Sequence, residues 1–412
     1  MILWSGQAVS MLTSFVLQMA IIWYITEKTK SAALLSAATL IAFLPQAIIS
    51  MFSGVYVDRF NRKTVLMAAD LFIAAFSFVL FLAGFFADIP IPLLLVLAGI
   101  RSIGTAFHNP ALQATTPLIV PKDNLTKYAG YAKGFESISS LSSPGIAAVM
   151  FMAMPLHYIA LFDVLGALFA FAMLSFLDLP STGEKQRHDK THMLHEVKQG
   201  FKAIKREPGM ISLMVIGALY GFIYFPVGTY YPLITMTYFG GSVADSGVVE
   251  TVFSLGMLGG SMMLGLWGGK LSRRSALISS IFVFGACVLV TGLLPPSGLP
   301  VFILLSGLMG ISAPFYFGEE TAIYQIKFPE GYLGRVFSIS SGISLAAMSL
   351  GLLISGVLAQ RIGIEKWFSV LGGLSLVLTL IAMNMPSLKN WDVSGLHPDK
   401  SAKMDNVSQP PP

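Results

Sequence analysis

The sequence predicts an all-α membrane protein of twelve transmembrane helices, arranged as two pseudo-symmetric six-helix bundles. Three observations predict it. First, 55% of the 412 residues are hydrophobic and only 11% are charged, where a soluble globular chain carries about 25% charged residues. Second, apolar runs long enough to cross roughly 30 Å of hydrocarbon, about 20 residues each, recur along nearly the whole chain. In lipid every backbone N–H and C=O must be satisfied within the segment, so such runs are helices. Third, a basic motif that follows the second run returns after the eighth.

Taken in order, the spans run over about 2–25, 31–57, 64–86, 92–119, 127–153, 158–178, 210–238, 246–269, 275–294, 300–326, 334–359 and 366–386. The first begins almost at Met1, looks short at its front end and lacks a basic n-region, so no cleavable signal peptide is expected. The breaks carry turn chemistry: "EKTKS", "ADIPIP", "VPKDN", "LPPSG" and "FPEGY". A polar stretch at 180–208 separates six spans from six, and its "HEVKQGFKAIKR" portion predicts an amphipathic helix on the membrane surface. The expected organisation is therefore an N-terminal bundle over 1–179, a linker over 180–208, a C-terminal bundle over 209–387 and a disordered tail over 388–412. The single cysteine, Cys287, lies in an apolar run, which excludes an intrachain disulfide.

Lysine and arginine set the orientation. One set of connections and the tail hold Arg59, Arg62, Lys63, Lys122, Lys127, the cations of the 180–208 linker, Lys270, Arg273, Arg274, Lys327, Arg335, Lys389, Lys400 and Lys403. The opposite loops hold Lys28, Lys30, Arg361 and Lys366. The basic side is expected to be cytoplasmic, with both termini there. Anionic inner-leaflet lipid then accounts for the net charge of +5 without nucleic acid.

The halves repeat. "GVYVDRFNRK" at 54–63 aligns with "GLWGGKLSRR" at 265–274, matching Gly54 with Gly265, Arg59 with Lys270, Arg62 with Arg273 and Lys63 with Arg274. Gly269 stands where the first copy has Asp58. Two related six-span halves are the plan of an alternating-access transporter with its substrate site near the midplane.

The first copy resembles the G-x-x-x-D-R-x-x-R-R loop signature of the major facilitator superfamily. "RSIGTAF" at 101–107 resembles, more loosely, the R-x-x-x-G-x-G signature of its drug–proton antiporters, and "SSPGIAA" at 142–148 is a weak echo of their fifth-helix motif. "RSIGTAFHNPAL", "FDVLGA", "PFYFG" and "YLGRVFS" are similar to stretches of the macrolide efflux proteins of Gram-positive bacteria. The resemblance runs from about Trp4 to Pro386. It implies a monomeric exporter in the bacterial plasma membrane that moves amphipathic drugs, macrolides first among them, by alternating access. Its energy would come from a proton gradient, with no cofactor and no metal. It also implies that Asp58, Arg59, Arg62 and Lys63 form a cytoplasmic gate, which latches the inner face in the outward-open state. Plain topology-setting is the alternative for Arg62 and Lys63, and the better reading of the second copy. Export of another drug class or of a siderophore-like metabolite, or a receptor that does not transport, are the competing functions.

Intramembrane charges are costly and mark cavities or partners. Arg101, in the fourth span, is implied by the resemblance to serve proton coupling by polarising or pairing with a carboxylate; the alternative is a cap on carbonyls of the first helix. Asp70 is expected to pair with the basic loop below it, a structural reading preferred to the alternative of proton carriage. Asp163 and Glu250 are proton-site candidates, because burial disfavours the charged form of a carboxyl; each could instead anchor a helix through hydrogen bonds. Lys133 and Glu136, at i and i+3, are expected to pair, with Glu136 also a coupling candidate. Glu319 and Glu320 point about 100° apart, so both are not expected in one cavity. Glu320 shares a stripe with Tyr316 and Tyr324 and is a candidate for both proton and drug. A carboxylate between phenols suits a cationic amine, such as the dimethylamino sugar of common macrolides. Tyr220, Tyr224 and Phe225 are further drug-contact candidates, in a group with Trp23, Tyr24, Tyr230 and Tyr231 that falls where a binding cavity or outer mouth could lie; for Trp23 and Tyr24 the expected reading is interfacial anchors instead. Two small-residue faces, Gly256–Gly260–Gly265–Gly269 and Gly334–Ser338–Gly342–Ala346, predict close helix contact. There is no Walker A sequence and no HExxH pattern, so neither ATP-driven transport nor that zinc chemistry is expected.

Overall fold

A computed structural model of the chain describes residues 2–57, 60–119, 125–176, 193–267 and 272–387, with some side chains inside those ranges undescribed. Fourteen α-helices lie among them: α1 Ile2–Thr29, α2 Ala32–Val57, α3 Arg62–Phe86, α4 Ile91–Ile119, α5 Leu125–Ala153, α6 Leu156–Ser175, α7 Met193–Arg206, α8 Met210–Thr229, α9 Tyr231–Thr237, α10 Val243–Trp267, α11 Arg273–Leu293, α12 Leu299–Lys327, α13 Glu330–Ile362 and α14 Ile364–Asn384. Among the described residues, eleven helices are long and apolar enough to cross a membrane. The exception among the twelve expected spans is α5, whose 29 residues are diluted by Lys127, Lys133, Glu136 and a run of serines. It still packs against α1 and α10 like a span.

The expected seventh span is two helices, α8 and α9, meeting at Tyr230 (φ −94°, ψ 4°). Pro232 supplies the reason. It has no N–H to donate back toward α8, so the ladder stops and restarts with Pro232 in the first turn of α9. The linker helix α7 forms where its amphipathic pattern predicts. Ala203 and Ile204 are buried in the C-terminal core, and Gly200 lies against Arg335 and Ile339 of α13.

Two bundles with matching internal contacts result. In the first, α2 packs on α4, α3 on α4 and α6, and α1 on α5 and α6; in the second, α10 packs on α12, α11 on α12 and α14, and α8 on α13 and α14. The contacts between bundles obey the same pseudo-symmetry, since α2 meets α13 and α10 meets α5. Gly256 and Gly260 of α10 face the Gly307 and Ile311 carbonyls of α12, and Gly310 of α12 faces the Phe253 carbonyl of α10. A side chain at any of the three would strike backbone, so this crossing needs hydrogen there. The expectation of close contact fails at two further positions. Gly265 and Gly342 have nothing within 4 Å of a Cβ position, while Gly269 and the side-chain surroundings of Gly334 lie outside the described residues.

The named contacts across the bundle interface gather at the rim where lysine and arginine are scarce. Gly247 of α10 abuts Ala148 of α5, Gly356 of α13 abuts Ala33 and Ser36 of α2, and the Ser36 and Tyr230 hydroxyls are hydrogen-bonded. Gln360 Oε1 accepts from the Ser31 hydroxyl at 3.1 Å and from the Ala32 N–H at 3.0 Å. Toward the basic rim the same interface helices separate among the described residues. Gly134 of α5 and Gly342 of α13 face open space, whereas Gly145 of α5, nearer the closed rim, has Thr251 of α10 at 3.3 Å. The two bundles therefore form a V that opens at the basic rim.

Candidate functional site

The closed end of the V holds a cavity of about 240 Å³ lined from both bundles. α1 and α2 contribute Gln18, Met19, Ile22, Thr39 and Phe43; α8 to α11 contribute Tyr224, Phe225, Gly228, Thr229, Tyr231, Pro232, Glu250, Phe253 and Phe284. The α8–α9 break brings its own residues, Gly228 to Pro232, to this wall. Glu250 is the carboxylate among the lining residues and is 8% exposed. Trp23 Nε1 of α1 donates to Glu250 Oε1 at 3.3 Å, a hydrogen bond that spans the two bundles. Trp23 is fully buried, which corrects the expectation of an interfacial anchor: its ring packs edge-on to Phe151 and against Gly247. Tyr24 does lie near the basic-poor rim, donating to the Ile89 carbonyl at 3.3 Å.

The sequence grouped Tyr220, Tyr316, Tyr324 and Glu320 with Tyr224 and Phe225. The structure divides them. Tyr224 and Phe225 line the cavity with Glu250, while Glu320 sits further toward the basic rim in a second cluster. Tyr324 donates its hydroxyl to Glu320 Oε1 at 3.0 Å, and Ser340 donates to the Tyr324 hydroxyl at 3.3 Å. Opposite, Gly217 of α8 leaves the space onto which Glu320 Oε1 and the Tyr316 hydroxyl converge, each within 3.1 Å of where a Cβ would be. The buried Tyr316 hydroxyl has no hydrogen-bond partner among the described residues. Rings join the two clusters: Tyr316 to Tyr220 at 4.3 Å between centroids, Tyr220 to Tyr224 at 5.6 Å, and Tyr224 to Phe225 at 5.7 Å. An aromatic ladder thus runs from one carboxylate to the other along the C-terminal wall.

Glu319, one residue earlier, turns away as the helix geometry requires. It accepts from Arg273 Nη1 at 2.8 Å. The second copy of the loop motif, which lacks an Asp58 equivalent, takes its acid from α12. Arg274 Nη2 donates to the Met383 carbonyl at the end of α14 (2.6 Å), and its first-copy counterpart Lys63 donates to the Ser175 carbonyl at the end of α6 (3.1 Å). Cations at helix C-termini satisfy orphan carbonyls and complement the dipole. Asn61 caps α3 through the Lys63 N–H, and Arg62 begins that helix. Asp58 and Arg59 lie outside the described residues.

The N-terminal bundle encloses two polar layers. In the first, Asp163 Oδ2 accepts from Arg101 Nη2 and from the Ser77 hydroxyl, both at 2.6 Å, and Asp163 Oδ1 accepts from Ser14 at 2.6 Å. Arg101 pairs with a carboxylate rather than capping carbonyls of α1. In the second, Asp70 meets His108 Nε2 at 3.1 Å and accepts from Gln7 Nε2 at 3.2 Å, and His108 Nε2 lies 2.8 Å from Gln7 Oε1. Asp70 does not reach the basic loop; its partners come from α1 and α4, and it is 1% exposed. The sequence reading passed over His108. Its spacing was the available signal, because His108 follows Arg101 by two helical turns on one face of α4. Glu136 is half-buried on α5, and the Lys133 side chain lies outside the described residues. Among the described residues no cluster of His, Cys, Asp or Glu could hold a metal ion.

Residues 1–410 match the family model described as "Transmembrane secretion effector". The chain belongs to that family of major facilitator superfamily transporters. It is 41% identical over 391 residues to "Macrolide efflux protein A" of Streptococcus pyogenes, covering 95% of this chain and 96% of that protein. It is 25% identical over 393 residues to "Multidrug efflux pump Tap" of Mycolicibacterium fortuitum, covering 90% and 92% respectively. Among solved structures, the fold matches a bacterial homologue of the human lysosomal transporter Spinster in an inward-facing and unoccupied conformation, with a TM-score of 0.73 at 13% identity over 96% of this chain and 98% of that one. The fold and the relatives are those of a multi-pass membrane efflux transporter, not of an enzyme.

Proposed function

We propose that the chain exports amphipathic, cationic drugs, macrolide antibiotics foremost, across a bacterial plasma membrane by proton-coupled alternating access. With the basic rim cytoplasmic, the V is an inward-open state ready to load from the cytoplasm or inner leaflet. The observation that carries the reading is the carboxylate at the closed end of a two-bundle aromatic cavity, hydrogen-bonded across the interface to Trp23. A cationic amine on a large apolar body fits such a wall. Glu320 meets it first, the Tyr316–Tyr220–Tyr224 ladder carries its apolar bulk, and Glu250 receives it at the closed end. Binding a cation at Glu250 competes with the Trp23 hydrogen bond, which links occupancy to the closure of the outer rim. A proton arriving from outside neutralises the carboxylate, releases the drug and returns the carrier. Identity of 41% to a protein named for macrolide efflux supports the substrate class. The coupling energy would come from the proton gradient with no cofactor.

Drug accumulation in an efflux-deficient host tests this. Cells producing the protein should hold less of a labelled 14- or 15-membered macrolide than cells without it, and a protonophore should erase the difference. Unchanged accumulation across a drug panel would reject drug export, and efflux that survives the protonophore would reject the proton as driver.

A further inference from the structure

The two polar layers of the N-terminal bundle are built on the same three helices at one spacing. α1 supplies Gln7 and Ser14, α3 supplies Asp70 and Ser77, and α4 supplies His108 and Arg101. Seven residues are two helical turns, about 10 Å, so the layers are stacked copies with different charge. α6 makes the difference: it adds Asp163 to the layer nearer the basic-poor rim, but Ala170 and Met173 near Gly6 at the other level.

We propose that the Asp70–His108 pair, completed by Gln7, is a single-proton binding site, and that Arg101–Asp163 is a fixed ionic lock. Charge decides between the layers. A guanidinium stays charged under all accessible conditions, so Arg101–Asp163 is neutral as it stands. Protonating Asp163 would leave a buried cation alone. Among the described residues Asp70 has no permanent cation in its layer. With neutral His108 the layer carries one uncompensated negative charge in a dry bundle, and one added proton removes it.

The hydrogen bonds place that proton. Gln7 Nε2 donates to Asp70 Oδ2, which fixes the amide so that its oxygen faces the imidazole. His108 Nε2 therefore faces two acceptors, Gln7 Oε1 and Asp70 Oδ1, and carries its hydrogen in either charge state. The exchanging position is Nδ1, where a proton from water forms the new N–H bond beside Asn109 Oδ1, 3.5 Å away on an exposed residue. Because the two groups share one hydrogen-bonded unit, the count belongs to the pair.

Among the described residues, the other ionisable groups on the surrounding helices do not supply a counter-charge in this layer. On α3, Lys63 lies two turns toward the basic rim and donates to the Ser175 carbonyl, with Arg62 beside it. On α4, Arg101 lies two turns the other way and is neutralised by Asp163 of α6. α2 brings Tyr56, packed on Phe107. Glu136 is the acidic side chain described on α5, and near Gln7 α1 has no ionisable side chain. This site would serve the proton-coupled cycle proposed above, yet its proton binding can be tested independently of that cycle.

Proton uptake by purified, monodisperse protein in detergent, counted with an indicator dye between pH 8 and pH 5, is the test. Asp70→Asn, which removes the layer's negative charge, should bind about one proton fewer than the unmodified protein, and Asp163→Asn should bind no fewer. Loss of the proton in Asp163→Asn, or no loss in Asp70→Asn, overturns the assignment. [15N]Histidine NMR of the unmodified protein needs no variant: one imidazole should keep Nε2–H throughout while Nδ1 titrates, and a spectrum without such a ring refutes the site. In liposomes, His108→Gln should also lose accumulation of a labelled 14-membered macrolide driven by an imposed pH gradient. If the unmodified protein ignores the gradient, the coupled cycle fails while the proton count still decides the site.

Discussion

Arg101 and Asp163 are 62 residues apart in sequence and 2.6 Å apart in the fold. Each was legible as an intramembrane charge; their pairing was not, because it depends on how α4 and α6 pack. A buried pair broken on one side costs about 3–5 kcal/mol. Arg101→Gln and Asp163→Asn should therefore each lower the melting temperature of the purified protein sharply, and the double variant should recover much of the loss. Additive losses in thermal melts would show that the pair is not one unit. Trp23 teaches a similar lesson. Beside Tyr24 and a charged loop its sequence context reads as interfacial, yet a buried carboxylate from the other bundle claims its N–H. Trp23→Phe keeps the ring and removes the donor. A hydrogen bond to a charged group contributes about 1.5–3 kcal/mol, so this change should shift the carrier away from the closed basic-poor rim, read as slower disulfide formation between cysteines placed at Gly145 and Thr251.

At the scale of elements, hydropathy marked the spans because lipid tolerates so few alternatives. The end of α8 escaped it, since Tyr230, Tyr231 and Pro232 are apolar enough to keep a run continuous while Pro232 breaks the hydrogen-bond ladder. Glycine spacing told which faces are smooth but not which meet a neighbour. Gly310→Val should cost about 1–3 kcal/mol by forcing α12 off the Phe253 carbonyl, whereas Gly342→Ala, facing open space, should leave the melting temperature within a degree or two. Equal losses would remove the argument for a backbone-tight α10–α12 crossing. The loop copies behave in the same way. The repeat of Lys63 by Arg274 was visible in the alignment, and the shared task, capping the ends of α6 and α14, needed the fold.

For the whole molecule, the repeat predicted two bundles, and the structure adds which rim is shut. The pseudo-symmetric pairs α2–α13 and α5–α10 are in contact at the basic-poor rim and part toward the other. Alternating access requires these contacts to break in every cycle. Replacing Gly145 and Thr251 by cysteine, where the Thr251 hydroxyl lies 3.3 Å from a Cβ position at Gly145, with Cys287 changed to alanine to leave no other thiol, puts a removable clamp across the α5–α10 contact. The account predicts that the disulfide forms readily without drug, that macrolide export stops when it forms, and that reduction restores export. Export continuing at full rate with the clamp closed would contradict a mechanism in which the two bundles pivot about the cavity between Trp23 and Glu250.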